Sequence, residues 1–458
     1  MIRQGEVVVV GGGLAGTEAA WYLAEAGVPV VLYEMRPAKL TPAHQTALLG
    51  ELVCSNSFRS DSLTNAVGLL KREMEVLGSL VMAAARAWCL PAGEALAVDR
   101  QGFARCLTEK LSAHPNIRIV REELTALPEP PAIVATGPLT SPALHQALEA
   151  RLGEGALSFF DAIAPVVAAD SLDLTKLYRG SRYGKGGGED YLNAPMTQNQ
   201  YRLFVDALLT AEQVPLKEFE RDIPYFEGCL PIEVMASRGR ETLRFGPMKP
   251  VGLPDPRTGV EPYAVVQLRQ DDLARENYSL VGFQTRMTIP AQRQIFRLIP
   301  GLEKARFVRF GMVHRNTFIC APKFLDSTLQ IKSLPGVRLA GQITGVEGYL
   351  ESAACGGLAA LFTLADLLGK SLPLPPPWTA HGGLLRHLQQ ANPQRFQPAN
   401  VTWGLILEPP EPLPRDKGQR RQRLAAQALE AMSRWRATLP LPVPSPTVTS
   451  PLPVGSGT

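Results

Sequence analysis

Cysteine and histidine are both scarce, six of each in 458 residues, and neither a Cys-x-x-Cys pair nor a cysteine–histidine spacing suggests a metal centre. A disulfide-stapled scaffold and a zinc or iron–sulfur fold are therefore excluded as organising principles. Long apolar runs are missing too: none reaches the roughly 18 uninterrupted residues expected of a membrane span. Nor does one sign of charge dominate. There are 47 Lys and Arg against 43 Asp and Glu, a formal net charge of +4. That balance, with a pI of about 8.7, permits an anionic partner without demanding one. A strand pattern begins within the first ten residues and leaves no space for a signal peptide. A cytoplasmic protein with free thiols and no membrane association is expected.

What is present is an ordinary globular composition, 45% hydrophobic and 20% charged, in a chain long enough for two or three domains. Its organising stretch is Val7-Val8-Val9-Val10 followed by Gly11-Gly12-Gly13-Leu14-Ala15-Gly16. Four β-branched residues read as a buried parallel strand. Gly11, Gly13 and Gly16 fit G-x-G-x-x-G: one glycine for the tight turn, one for close approach of a pyrophosphate, one for packing of the next helix. A helical pattern over 17–25 and a strand over 28–33 follow, and the strand ends in Glu34, where a carboxylate meets a ribose hydroxyl. A strand over 132–135 closes on Thr136-Gly137, which favours FAD over NAD.

Taken in order, 36–63 lacks periodicity and reads as a loop over the cofactor, while 69–87 reads as one helix. From 156 to 310, prolines, glycines and short strand candidates replace the strand–helix alternation. The strand–glycine turn–helix pattern returns at 337–368. The expected organisation is α/β: an FAD-binding Rossmann-like domain of the glutathione-reductase type, discontinuous over 1–155 and 311–370, with an inserted α+β substrate domain at 156–310. A helical segment at 371–438 and a Pro-rich disordered tail at 439–458 complete the chain.

Five blocks carry a resemblance: 225–239, holding Glu227-Gly228-Cys229-Leu230-Pro231; 242–253, holding Arg244-Phe245-Gly246-Pro247; 280–285; His314-Arg315-Asn316-Thr317-Phe318-Ile319; and 340–349, holding Gly341-Gln342 and Gly348-Tyr349. Together they closely resemble the bacterial folate- and FAD-dependent methylenetetrahydrofolate–tRNA-(uracil-5-)-methyltransferases, over about 5–436. The resemblance implies FAD, methylenetetrahydrofolate as carbon donor, NADPH or NADH as reductant, and the T-loop uridine (position 54) of tRNA as acceptor. It points to Cys54 and Cys229 as the working thiols. One departure is Ala194, where the family usually has cysteine. A weaker resemblance extends to the FAD proteins that modify the tRNA wobble uridine. An FAD oxidoreductase of small molecules and a non-catalytic flavin-binding RNA chaperone are the rival readings. Monomer and homodimer both stay open.

The chemistry explains why such residues are needed. Uracil C5 is a poor nucleophile; a thiolate adding to C6 makes an enolate whose C5 attacks a methylene, and a base later removes the C5 proton. Cys229 is assigned as nucleophile, since Pro231 suits a first helical turn and Arg238, Arg240 and Arg244 follow. Cys54 is assigned to proton transfer, although the two roles are interchangeable. Gly341, Gln342, Gly348 and Glu351 are expected to face FAD, and His314 to stack on the pterin. Tyr349 and Arg286 are candidates for the flavin–folate pocket. Arg238, Arg244 and neighbouring cations, among them Arg240 and Lys249, are candidates for tRNA phosphate. Tyr183 and Lys185 read as a solvated loop or as contacts to folate or phosphate. Cys89, Cys106, Cys320 and Cys355 read as buried small hydrophobes.

Overall fold

A computed structural model describes residues 5–41, 43–153, 156–215, 230–409, 411–439, 444, 445 and 448, with the side chains of 156–163 and 313–316 left aside. The valine run forms β1 (Val7–Val10), buried along its whole length. α1 (Leu14–Glu25) follows, three residues longer at its start than the sequence pattern indicates, because Gly13 rather than a polar side chain stands at its N-cap. β2 (Val30–Tyr33) pairs in parallel with β1.

The stretch 36–63 is not all loop. β3 (Ser57–Ser60) pairs with β5 (Ala95–Val98), which pairs in turn with β4 (Cys89–Leu90), forming a three-stranded sheet. The expected single helix at 69–87 is two, α2 (Ala66–Val76) and α3 (Leu80–Ala87). Gly78 at φ +76° breaks the path, and the Ser79 side chain accepts the amide of Met82 to start the second helix. Cys89 is exposed on β4, which corrects the buried reading; Cys106, Cys320 and Cys355 are buried.

α4 (Arg100–Ser112), β6 (Ile117–Val120), β7 (Ala132–Val134) and α5 (Pro142–Leu152) complete the first pass. β8 (Ala156–Ile163) then leaves the cofactor half. The insertion holds β9 (Val166–Ala168), β10 (Tyr178–Arg179), β11 (Tyr191–Met196), α6 (Gln198–Leu209), α7 (Ile232–Ser237) and α8 (Thr242–Phe245), then β12 (Ala264–Gln270), β13 (Asn277–Leu280), α9 (Ile289–Phe296) and β14 (Phe307–Arg309). Its six strands run in the order β10-β11-β12-β13-β9-β14. Return is by β15 (Met312–Ile319), antiparallel to β8 residue for residue. Entry and exit are thus one two-stranded ribbon.

α10 (Ala321–Phe324), β16 (Val337–Leu339), α11 (Tyr349–Leu367), α12 (Ala380–Gln390) and α13 (Lys417–Thr438) close the chain. β16 completes a parallel sheet of order β16-β7-β1-β2-β6. α11 is long and apolar enough to cross a membrane by composition, with mean hydropathy 1.3, yet 89% of that window is buried here. It packs on α1 so closely that a Cβ on Gly356 would lie 2.1 Å from the Ala15 carbonyl oxygen. It is a core helix. The two halves keep separate hydrophobic cores, one under the parallel sheet and one between the inserted sheet and α6, α7 and α9. In the expected disordered tail, Leu439 is buried and Val448 packs on the first core; most of 440–458 lies outside the described residues.

Candidate active site

The turn after β1 is built by exclusion. Gly11 has φ +103°, and a Cβ on Gly16 would sit 1.8 Å from the Gly11 carbonyl oxygen, so neither position tolerates a side chain. A Cβ on Gly13 would meet nothing within 4 Å. The backbone there faces open space, and the first amides of α1 have no side-chain cap. That space is a cleft of about 1000 Å³ including its mouth, lined by the Gly11–Ala15 turn, Glu34, Val53, Gly137, Gln342 and Tyr349 among others. Sites of this kind sit at the carboxyl ends of parallel strands.

Glu34 is buried and accepts the Gly12 amide at 2.9 Å. Arg36 reaches it through its amide (3.0 Å) and its Nε (2.9 Å). Burial alone would raise this carboxyl, but the hydrogen bonds and charge of Arg36 outweigh it and hold it below the usual range. An ionised acid beside uncapped helix amides and an open glycine backbone is the donor and acceptor set that a flavin adenine dinucleotide requires.

Cys54 lies one residue beyond the cleft wall. The hydroxyl oxygen of Tyr349, at the start of α11, accepts the amides of Cys54 (2.7 Å) and Ser55 (3.1 Å). Arg100 on α4 donates to the Leu52 carbonyl at 2.6 Å and pairs with Asp271 at 2.9 Å. Arg269 on β12 donates to Asn56 (2.8 Å) and to the Ser55 hydroxyl (2.7 Å). Asn56 is fully buried and donates to the carbonyls of Val98 and Gln270. The 52–56 loop is therefore clamped from α4, from α11 and from the inserted sheet. Burial and the neighbouring Cys54 push the Tyr349 hydroxyl well above its ordinary range, so it stays neutral. Arg100 also donates to the Cys54 carbonyl at 3.4 Å, and Arg309 donates to the Ala43 carbonyl at 3.2 Å.

Gln342 lines the cleft as expected, and the remaining expected residues fall elsewhere. Glu351 is fully buried beneath the first turn of α11, ion-paired with Arg59 and accepting the Val401 amide at 2.9 Å. Gly341 and Gly348 shape the turn, and Gln342 is tied to Glu347 at 2.6 Å. Arg286 is in the insertion, its amide bonded to Glu233 at 2.6 Å and its guanidinium to Gln213, away from the cleft. Arg244 stacks over the Tyr263 ring and pairs with Glu241 at 2.7 Å. Arg238 is exposed at the C-cap of α7. Pro231 is the N-cap of that helix rather than its first residue. Cys229 and the side chain of His314 lie outside the described residues.

Sequence reasoning missed Arg100, Arg269, Asp271 and Arg309. A signal existed for two of them: Arg269 and Asp271 are charges at the end and exit of a strand that opens on the apolar run 264–266, and buried charges rarely sit there unless paired.

A family model described as "Glucose inhibited division protein A" matches residues 6–371. The methylenetetrahydrofolate–tRNA-(uracil-5-)-methyltransferase TrmFO of Geobacter sulfurreducens is 55% identical over 95% of this chain and all of its own length. The chain belongs to the TrmFO family. The TrmFO protein of Paramagnetospirillum magneticum is 54% identical, across 94% of this chain and 99% of its own. Among solved structures, Aquifex aeolicus GidA superposes with a TM-score of 0.64 at 15% identity, covering 94% of this chain and 74% of that one. It shares the fold: an FAD-type Rossmann domain with an insertion.

Proposed function

We propose that this TrmFO-family chain methylates C5 of the T-loop uridine (position 54) of tRNA, with methylenetetrahydrofolate as carbon donor and NADPH or NADH as reductant. The observation that carries the reading is the latch between Cys54 and Tyr349, which sets a thiol-bearing loop against the wall of the glycine cleft. FAD, when bound, supplies the hydride that turns the transferred carbon into a methyl group. The chain's own residues do the rest. The α1 amides and Glu34 would hold the dinucleotide, with Gln342, positioned by the Gly341–Gly348 turn, on the wall of the same cleft. Cys229 adds to uracil C6, and Cys54 accepts the C5 proton. Arg100, Arg269 and Arg309 supply positive charge where the enolate forms. His314 stacks on the pterin.

The target base is extruded into this site at a cost of a few kcal/mol, offset by contacts to the tRNA backbone. A cytoplasmic location is part of the same reading; among the described residues the helix long and apolar enough to cross a membrane, α11, is 89% buried. The test is nucleoside mass spectrometry of tRNA incubated with isotope-labelled methylenetetrahydrofolate, NADPH and the flavin-loaded protein. Label is expected in 5-methyluridine at position 54. Label at the wobble uridine, or flavin turnover with unlabelled tRNA, would refute the reading. Cys229→Ala is expected to keep its yellow cofactor and lose turnover.

A further inference from the structure

Phe245 is 81% exposed, more than any other large apolar side chain among the described residues. It closes the short helix α8 and is not a loose end. Leu243, two residues earlier, is fully buried, and Arg244 between them is fixed over the Tyr263 ring at 3.7 Å and paired with Glu241. The backbone that carries Phe245 is thus fixed on both sides of Arg244 while the ring itself stands in water.

A second exposed ring packs on this segment from another turn of the chain. Tyr183 is 60% exposed and has φ +58°, a conformation an aromatic residue rarely adopts. Its amide donates to the Gly252 carbonyl at 2.9 Å, and its ring covers Gly252 so closely that a Cβ there would lie 2.5 Å away. Arg182 ties the same stretch by donating to the Lys249 carbonyl at 2.8 Å. Phe245 and Tyr183 thus bracket the segment 245–252. Between 238 and 249 stand four cations, Arg238, Arg240, Arg244 and Lys249, and one carboxylate, Glu241, engaged by Arg244 and the Tyr263 hydroxyl; from outside the segment, Asp206 pairs with Arg240 at 2.6 Å and Glu261 accepts the Gly252 amide at 2.7 Å, so with Arg182 counted the surface keeps a positive excess of two, five cations against three carboxylates.

We propose that Phe245 and Tyr183 are a stacking platform for unpaired bases of the tRNA, with the cations around them taking its phosphates. Isolated rings set among cations fit splayed bases on a charged backbone. A protein partner would instead call for a continuous apolar patch. The platform is remote from the Cys54 loop. Tyr263, which carries Arg244, precedes β12, and Arg269 on that strand grips the 52–56 loop. Six residues of strand separate them, about 20 Å. The surface therefore lies beyond the reach of a base held against the Cys54 loop.

The inference rests on the proposed tRNA activity, and the experiment separates the two. Binding of unmodified tRNA to flavin-loaded protein is measured for the wild type and for Phe245→Ala, Tyr183→Ala and the double variant, with flavin content and melting as controls of folding. Each loss of a ring is expected to weaken binding roughly five- to thirtyfold. The salt dependence, NADPH-driven flavin reduction and kcat at saturating tRNA should stay as in the wild type. Phe245→Tyr should restore affinity and Phe245→Leu should not, since stacking needs a π face. Binding by the double variant within twofold of wild type, or full affinity in Phe245→Leu, would overturn the platform while leaving the methyltransferase reading intact. A change in oligomeric state by light scattering would reassign the surface to a protein contact. Wild-type protein that neither binds nor methylates tRNA would sink both.

Discussion

Replacing Tyr349 by Phe removes one oxygen atom and tests how the thiol loop is held. That oxygen accepts two amides, from Cys54 at 2.7 Å and from Ser55 at 3.1 Å. A buried amide left without an acceptor costs about 1–3 kcal/mol. Cys54 and Ser55 are half-buried, so water reaches part of the deficit and the lower end applies. The expected loss is about 2 kcal/mol for the pair. The ring should remain, because its edge packs against Phe58 at 5.9 Å between centroids. Denaturant titration followed by flavin fluorescence measures the stability. Peptide mass spectrometry of iodoacetamide labelling measures access to Cys54, which should rise as the loop loosens, and label transfer into tRNA should fall. Unchanged stability together with unchanged Cys54 labelling would refute the latch.

Glu18 is fully buried on α1 and accepts the Val81 amide at 3.0 Å; burial raises its carboxyl to about 7 despite those hydrogen bonds. Its folded value lies above the ordinary 4.5, so its stabilising share is complete below about pH 4.5 and lost as pH rises through 7. Glu18→Gln should therefore gain on the wild type between pH 5 and 8, by up to about 3 kcal/mol, in parallel denaturant titrations; a constant gap would contradict this. Glu73, with no exposure, accepts the amides of Ala380 (2.8 Å) and His381 (3.0 Å) and contacts the His381 ring at 2.8 Å. Glu73→Ala should cost about 3–5 kcal/mol and release α12 to proteolysis first; an unaltered digestion pattern would count against that role. In the native protein Cys89 should alkylate ahead of Cys106, Cys320 and Cys355, since it is exposed while burial raises Cys355 to about 11. Equal labelling rates would contradict the strand assignment.

What local rules govern, the sequence displayed. Four valines, three spaced glycines and an acid on schedule required the β1–α1–β2 unit, because each residue answers to a neighbour a few positions away. The break at Gly78 was hidden because 69–87 keeps its apolar spacing through the turn, and only the positive φ of that glycine divides it. β3 was hidden for a different reason. Ser57–Ser60 has one buried residue, Phe58, and no alternation, so pairing with β5 decides its conformation rather than its own composition.

The site itself was legible in its cofactor half and illegible in its thiol half, and the distances along the chain say why. The cofactor turn and Glu34 lie 22 residues apart at the Gly12 hydrogen bond. The Cys54 loop is held by partners 295 residues away at Tyr349 and 214 away at Arg269. No periodicity links those positions; only the return of the chain through the β8–β15 ribbon brings β12 and α11 to the same loop. The clamp also answers a difficulty of burying charge. Arg269 and Arg100 sit at the junction with one acid, Asp271, which pairs with Arg100 and lies near enough to Arg269 to act on its charge, and both arginines donate to loop oxygens as well. Buried guanidinium groups left with one acid between them would be costly. The 52–56 loop supplies the missing acceptors, so inserted domain and thiol loop stabilise each other, and a change at β12 should be felt at Cys54.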